Sequence, residues 1–221
     1  MSTILVSGAG RGLGLELARQ YAADGWRVIG TVRDTKAKLP AGVERQLADV
    51  TDRGHIGSLA KALRGTPLDV LFCNAGIIGK RGMALGSFDY ASWEEVLRVN
   101  VLGAAALAEA LVENVAASKR KVIAMMSSRL GSIAEASGMT LPYATSKAAL
   151  NMLVKGLAAS LSGKGVIVVA LSPGWVRTDM GGAGAPLAPQ TSVAGLRQVI
   201  AGLGPADSGR FLSHDGSPIP W

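Results

Sequence analysis

Cysteine is almost missing from this 221-residue chain. The single one, Cys73, excludes an internal disulfide and fits a reducing compartment, so a cytoplasmic location is expected. It falls inside an apolar run, where it reads as a small buried hydrophobe. Histidine is nearly as scarce. His55 and His214 stand apart from each other and from any acidic or thiol cluster, so no metal site is expected. No apolar run reaches the roughly 18 residues of a membrane-crossing helix. The short run Ile4-Leu5-Val6 passes straight into a glycine-rich turn, unlike a signal peptide. Linkers and internal repeats are lacking too, and the length fits one domain with a substantial core. A dense basic run interleaved with aromatics is also missing. The formal net charge is +7, but the arginines and lysines are scattered, and the longest cluster, Lys119-Arg120-Lys121, precedes an apolar strand as a solvated turn. Nucleic acid is therefore not an expected partner, whereas the positive surplus can attract a phosphate-bearing ligand.

What the chain does have is glycine, 29 residues of it, with 48% hydrophobic content. Both suit an α/β protein with many tight strand–helix turns. Short apolar runs alternate with amphipathic stretches. Strands are expected over 4–7, 27–32, 43–47, 70–73, 122–127, 166–171 and near 209–212. Helices are expected over 13–23, 56–63, 93–117, 142–161 and 192–203. Continuous apolar strands interleaved with helices predict a doubly wound, Rossmann-type parallel sheet of about seven strands, covered on both faces, within one domain over 1–221. Ligands then bind at the carboxyl ends of the strands. Residues 34–40 leave little room for a helix between the second and third strands, a trimming of that plan.

Two constellations carry chemistry. Tyr143-Ala144-Thr145-Ser146-Lys147 places a phenol and an ammonium one helical turn apart on a shared face. A lysine cation beside a tyrosine favours the phenolate and lowers its pKa from about 10. Such a pair can transfer a proton between a carbonyl and an alcohol. The second constellation is Ser7-Gly8-Ala9-Gly10-Arg11-Gly12-Leu13-Gly14, between the first strand and first helix. Glycines there allow a tight turn and let backbone N–H groups approach a pyrophosphate at the helix's positive end.

With the spacing Gly8-x-x-x-Gly12-x-Gly14, the chain resembles the short-chain dehydrogenase/reductase family, whose turn reads Thr-Gly-x-x-x-Gly-x-Gly. Ser7 replaces the threonine and keeps its hydroxyl. The likeness runs in order along nearly the whole chain. Asn74-Ala75-Gly76 matches the family's Asn-Ala-Gly after the fourth strand, and Asp49-Val50 resembles its adenine-contacting segment. Pro173-Gly174-Trp175-Val176-Arg177-Thr178 resembles its Pro-Gly-x-Val-x-Thr turn, with Val176 and Thr178 implied as anchors of the nicotinamide carboxamide. The resemblance implies Tyr143 as the catalytic proton donor in reduction. It implies Lys147 as modulator of Tyr143 and binder of the nicotinamide ribose, Ser128 as the substrate-oxygen donor, and Asn100 as holder, through its helix backbone, of a relay water. Ser128 precedes Tyr143 by fifteen residues, two more than is usual in the family. That leaves Ser127 and Ser128 as alternatives, of which only one can reach the site because strand side chains alternate. Ser128 is chosen as the second serine of the pair.

Cofactor choice follows from charge. An acidic residue at the end of the second strand would bind a ribose 2′-hydroxyl and repel a 2′-phosphate. Here Val32 is followed by Arg33, and Arg11 lies in the glycine turn. NADP(H) is therefore favoured over NAD(H), with Asp34 placed to orient or partly neutralise Arg33. The cofactor-binding half is expected over about 1–118 and the catalytic and substrate half over about 119–221. Leu130, Glu135, Met139, Trp175 and Met180 lie on segments able to line a substrate pocket, and the Gly-, Ala- and Pro-rich stretch 181–190 is expected to be a mobile lid. The C-terminal residues Asp207-Ser208-Gly209-Arg210-Phe211 and Ile219-Pro220-Trp221 resemble the C-factor and carbonyl-reductase branch. The implied activity is NADPH-dependent reduction of a ketone or aldehyde. Its alternatives are alcohol oxidation with NADP or NAD and a dinucleotide-binding signalling or sensor protein. Association as a homodimer or homotetramer is implied through the long helices, with Gly103-Ala104-Ala105-Ala106 as a close-approach face.

Overall fold

The computed structural model describes all 221 residues. Seven strands form one sheet: β1 (Thr3–Val6), β2 (Arg27–Val32), β3 (Val43–Leu47), β4 (Val70–Cys73), β5 (Val122–Met126), β6 (Ile167–Ser172) and β7 (Phe211–Ser213). Their order is β3-β2-β1-β4-β5-β6-β7, and every neighbouring pair is parallel. The order reverses direction between β1 and β4, which creates the switch point where such sheets bind ligands.

The helices are α1 (Gly12–Ala23), α2 (Arg53–Ala62), α3 (Tyr90–Leu97), α4 (Gly103–Ala116), α5 (Leu141–Ser160) and α6 (Pro189–Gly202). Strand alternation sorts the core into two layers. Leu5, Leu71, Ile123 and Met125 face α4 and α5, whereas Ile4, Val6, Phe72 and Ala124 face α1 and α6. Five of the seven strands are buried at every position, the pattern of a sheet covered on both sides. Cys73 is buried with them, and burial pushes its thiol up to about 12. No helix is long and apolar enough to cross a membrane.

Three details differ from the sequence-based expectation. The helix expected over 93–117 is divided by a π-helical turn, Arg98–Leu102, in which the Gly103 N–H reaches back five residues to the Arg98 carbonyl. The last strand begins at Phe211, because Gly209 adopts φ +82° in the turn before it. The small residues 103–106 are spent mostly inside the protomer. Ala104 and Ala106 are core residues, and a Cβ on Gly103 would lie 2.6 Å from Val50 Cγ2. Between β2 and β3 there is no helix, as the short segment predicts.

Candidate active site

The carboxyl ends of β1, β4, β5 and β6 open into a cleft of about 710 Å³, lined from Arg33 and Asp49 at one end to Tyr143 and Lys147 at the other. At its centre is the turn after β1. Gly8 has φ +69°, a conformation available to glycine at little cost. The start of α1 packs against that turn so closely that a Cβ on Gly14 would lie 2.3 Å from the Gly8 carbonyl oxygen. The first backbone bond of this helix is Leu15 N–H to the Arg11 carbonyl. The N–H groups of Gly12, Leu13 and Gly14 have no acceptor in the chain, and Gly12 and Leu13 line the cleft. Free N–H groups at a helix's positive end, beside glycines that no side chain fills, fit a dinucleotide pyrophosphate.

Ser7 sits beneath the turn rather than in the cleft wall. It is 1% exposed, and its hydroxyl accepts the N–H groups of Asn74 and Ala75 at 2.9 and 3.0 Å. Asn74 returns the contact, donating its Nδ2 to the Ser7 carbonyl at 2.9 Å. The pair locks the end of β1 to the end of β4 and sets the position of Ala75 and Gly76, which do line the cleft.

At the end of the cleft beside β2, Val32 closes the strand and Arg33 and Asp34 follow, both exposed. Asp34 does not pair with Arg33: its Oδ1 accepts the Lys36 N–H at 2.8 Å in a local turn. Asp49 is capped in the same way by the N–H and hydroxyl of Thr51, at 2.8 and 2.7 Å. The Thr51 N–H, together with more distant charge from Arg33, holds the Asp49 carboxyl below its ordinary value. Val50 packs beside it on Gly103.

The chemical end is built on α5. Its first turn is entered through Thr140, a non-glycine residue at φ +47°, and Pro142 follows near the helix start. Lys147 is 3% exposed. Its Nζ donates to the Met126 carbonyl at 2.7 Å and lies 5.4 Å from the Tyr143 ring centroid. Burial lowers the Lys147 pKa to about 7. Burial also pushes the Tyr143 phenol up to about 12, against the opposing hydrogen bond of Ser128. Burial thus favours the neutral form of both groups, and the expected depression of Tyr143 by its lysine does not appear. Tyr143 itself keeps partial exposure to the cleft.

The two serines after β5 take different partners, and Ser127 is the one that borders the cleft. Ser127 is 1% exposed and its hydroxyl donates to Asn151 Oδ1 at 2.6 Å. Ser128 turns the other way, toward Tyr143, and accepts the Leu130 N–H at 3.3 Å. Asn100 is buried inside the π-turn. Its Oδ1 accepts the Ile77 N–H at 2.8 Å, and its Nδ2 donates to the Ile77 carbonyl at 2.9 Å and to Ser146 Oγ at 3.0 Å. The Asn100 side chain is thus fully engaged in positioning, and a π-turn is the place in a helix where backbone carbonyls lose their regular partners.

Pro173 and Gly174 follow β6, with Gly174 at φ +78° and no room for a Cβ against Leu187. Val176 forms a bridge with Leu187. Arg177 N–H donates to the Leu187 carbonyl at 2.9 Å, and the Trp175 indole donates to the Gly181 carbonyl at 2.8 Å. The stretch 181–190, expected as a mobile lid, is bonded at Gly181 and Leu187, and its last two residues already belong to α6, which starts at Pro189. Thr178 lies over Gly12, so this loop reaches back to the glycine turn.

Sequence reasoning missed Asn151 and Ser146. Asn151 donates to the Gly131 carbonyl at 3.1 Å and is one helical turn beyond Lys147. An asparagine one helical turn beyond the Tyr143–Lys147 pair was the signal available. Ser146 Oγ donates to the Tyr143 carbonyl at 2.7 Å and links α5 to Asn100.

A family model described as short chain dehydrogenase matches residues 2–185. Among curated relatives, C-signal of Myxococcus xanthus is 41% identical over 156 residues, covering 70% of this chain and 93% of that protein. Among solved structures, carbonyl reductase Sniffer of D. melanogaster superposes with a TM-score of 0.92 at 31% identity, over 100% of both chains. NADPH-bound carbonyl reductase from chicken fatty liver gives 0.90 at 29% identity, over 100% of this chain and 99% of that one. With its glycine turn, its Tyr143–Lys147 pair and these likenesses, the chain belongs to the short-chain dehydrogenase/reductase family, in the branch of C-signal and the carbonyl reductases.

Proposed function

We propose that this oxidoreductase is an NADPH-dependent carbonyl reductase that converts a ketone or aldehyde into an alcohol, with Tyr143 giving the proton. The observation that carries the reading is the single cleft joining Tyr143 and Lys147 to a glycine turn flanked by Arg11 and Arg33. When bound, NADPH supplies the hydride. The residues of about 1–118 hold it, through the N–H groups of Gly12, Leu13 and Gly14, with Ser7, Gly8, Asn74, Ala75 and Gly76 shaping the turn and Asp49 and Val50 the adenine end. Arg33, freed from Asp34 by the Lys36 contact, and Arg11 take the 2′-phosphate. In the half over about 119–221, Pro173, Gly174, Val176 and Thr178 frame the nicotinamide end.

Tyr143 binds the carbonyl oxygen and donates its phenolic proton as the alcohol forms. A phenol pushed up to about 12 is protonated across the physiological range, as a donor must be. Ser128 gives a second hydrogen bond to that oxygen and stabilises its developing charge. Lys147 binds the nicotinamide ribose and, with a pKa near 7, can return a proton to Tyr143 through the route at Asn100. Partner copies assemble through α4, the π-turn before it and α5, where Leu102 and Met152 stand exposed.

Absorbance at 340 nm tests the reading. Purified protein with a panel of aldehydes and ketones should consume NADPH well ahead of NADH. Tyr143→Phe should lower turnover roughly 100- to 10,000-fold with NADPH affinity unchanged; retained turnover refutes the assignment. The likeness to C-signal favours a second reading, a signalling protein that binds the dinucleotide without turnover. That reading predicts tight NADPH binding and no consumption with any carbonyl compound.

A further inference from the structure

The loop after β6 is tied to the opposite walls of the cleft through two consecutive residues. Arg11, from the glycine turn, meets Asp179 with Nη1 3.5 Å from Oδ2. Arg81, from the segment after β4, donates to the carbonyl of Met180. All four residues line the cleft. The two ties are unlike in kind. Arg11–Asp179 is a single long contact between side chains that are 69% and 82% exposed. By contrast, Arg27 grips Glu44 with two hydrogen bonds at 2.7 and 3.0 Å.

The position of Asp179 does not depend on Arg11. The turn that carries it is closed by Gly181 N–H to Thr178 Oγ1 at 3.1 Å and Gly182 N–H to the Thr178 carbonyl at 2.8 Å. The Trp175 indole and Arg81 pin it further. If Arg11 leaves, the carboxylate stays at the cleft wall.

We propose that Asp179 is a cofactor-selectivity residue, which competes with the ligand's 2′-phosphate for Arg11. The proposal rests on the NADPH reading above. A dianionic phosphate makes stronger, bidentate contacts with a guanidinium than a carboxylate touching one nitrogen at 3.5 Å, so Arg11 exchanges partners when the phosphate arrives. Asp179 opposes that exchange twice, by holding Arg11 and by placing negative charge beside the incoming group. NADH lacks the phosphate and is spared the competition. The chain thus carries a built-in moderation of its preference for the phosphorylated dinucleotide.

Fluorescence titration with NADPH and with NADH provides the test. Asp179→Asn keeps the side-chain shape and removes the charge at an exposed position. It should raise the ratio of the NADH to the NADPH dissociation constant roughly two- to fivefold at low salt, the scale of an exposed ion pair. The gain should shrink as salt rises. In an Arg11→Ala background the same substitution should raise the ratio by clearly less, because the competed-for group is gone and only the repulsion of the phosphate is relieved. An unchanged ratio in the wild-type background overturns the proposal, as does an equal gain with and without Arg11. If wild type prefers NADPH and Arg11→Ala lowers that preference while Asp179→Asn is inert, only this inference fails. A wild type with no preference overturns it together with the NADPH reading.

Discussion

Lys147 and Tyr143 share one face of α5, with the ammonium nitrogen 5.4 Å from the phenol ring centroid, yet burial moves their pKa values in opposite directions. The phenol goes up to about 12 and the ammonium down to about 7. Each shift favours the neutral form. The pair therefore crosses the physiological range with the tyrosine protonated and the lysine close to its own midpoint, as the proposed proton donor and the group that reloads it require.

That relationship makes stability depend on pH in a definite sense. Lys147 has a folded pKa of about 7 against 10.5 in the unfolded chain. Between those values the unfolded state binds more protons, so stability from this group rises with pH from about 7 to about 10.5. As pH falls through 7, the folded protein must carry a buried cation. Lys147→Met removes that cost. The variant, measured without dinucleotide, should be more stable than wild type at pH 6 by a few kcal/mol, and the gap should narrow steadily toward pH 10. Parallel denaturant curves across that range check it, and a gap independent of pH contradicts the burial argument.

The two serines after β5 should fail in different ways. Ser127 is bonded in the core to Asn151 at 2.6 Å, so Ser127→Ala leaves a buried acceptor unpaired and should cost about 1–3 kcal/mol of stability. Its turnover should stay near wild type. Ser128→Ala should do the reverse. Its stability changes little, and kcat falls roughly 100- to 1,000-fold, as for loss of an oxyanion donor. Thermal unfolding and steady-state kinetics on the two variants decide the matter, and a kinetic defect confined to Ser127→Ala would reverse the assignment.

Much of this was legible in the sequence because the sheet is buried on both faces. Strands with no solvent side are written as apolar runs, and β2 and β4 coincide with the runs 27–32 and 70–73, whereas β3, over 43–47, is a largely polar and exposed strand at the sheet edge. The glycine turn was legible for a related reason: packing α1 onto it excludes any side chain at Gly14. Features set by contacts between distant segments were not legible. The π-turn holds Asn100, whose partner Ile77 lies 23 residues away. The tie between Arg11 and Asp179 spans 168 residues. The orientation of Asp34 hung on a local competition, in which the Lys36 N–H won over the neighbouring arginine. The protonation of Lys147 was misread because helical spacing reports proximity to Tyr143 and says nothing of burial.

Trp221 is the least obvious residue on which substrate binding should depend. Its carbonyl accepts the N–H of Ala134 at 2.9 Å, within the loop between Ser128 and Tyr143. Its ring stacks on Phe211 with centroids 5.5 Å apart, and Lys155 Nζ lies 5.4 Å from the ring centre on the other contact. The ring thus fixes a backbone acceptor that fixes the loop, and the loop leads through the strained Thr140 into the first turn of α5. Trp221→Ala keeps the carbonyl but frees it to move. Loss of an aromatic pair, worth about 0.5–1.5 kcal/mol beyond buried area, should lower Tm by roughly 2–4 °C for each kcal/mol. The KM for a carbonyl substrate should rise roughly two- to tenfold by the same energy, while NADPH affinity stays at the wild-type value because the glycine turn and the arginines lie elsewhere. Trp221→Phe should restore most of the KM. If NADPH affinity falls in step with KM, the ring supports the whole fold, and the specific coupling to the substrate loop is wrong.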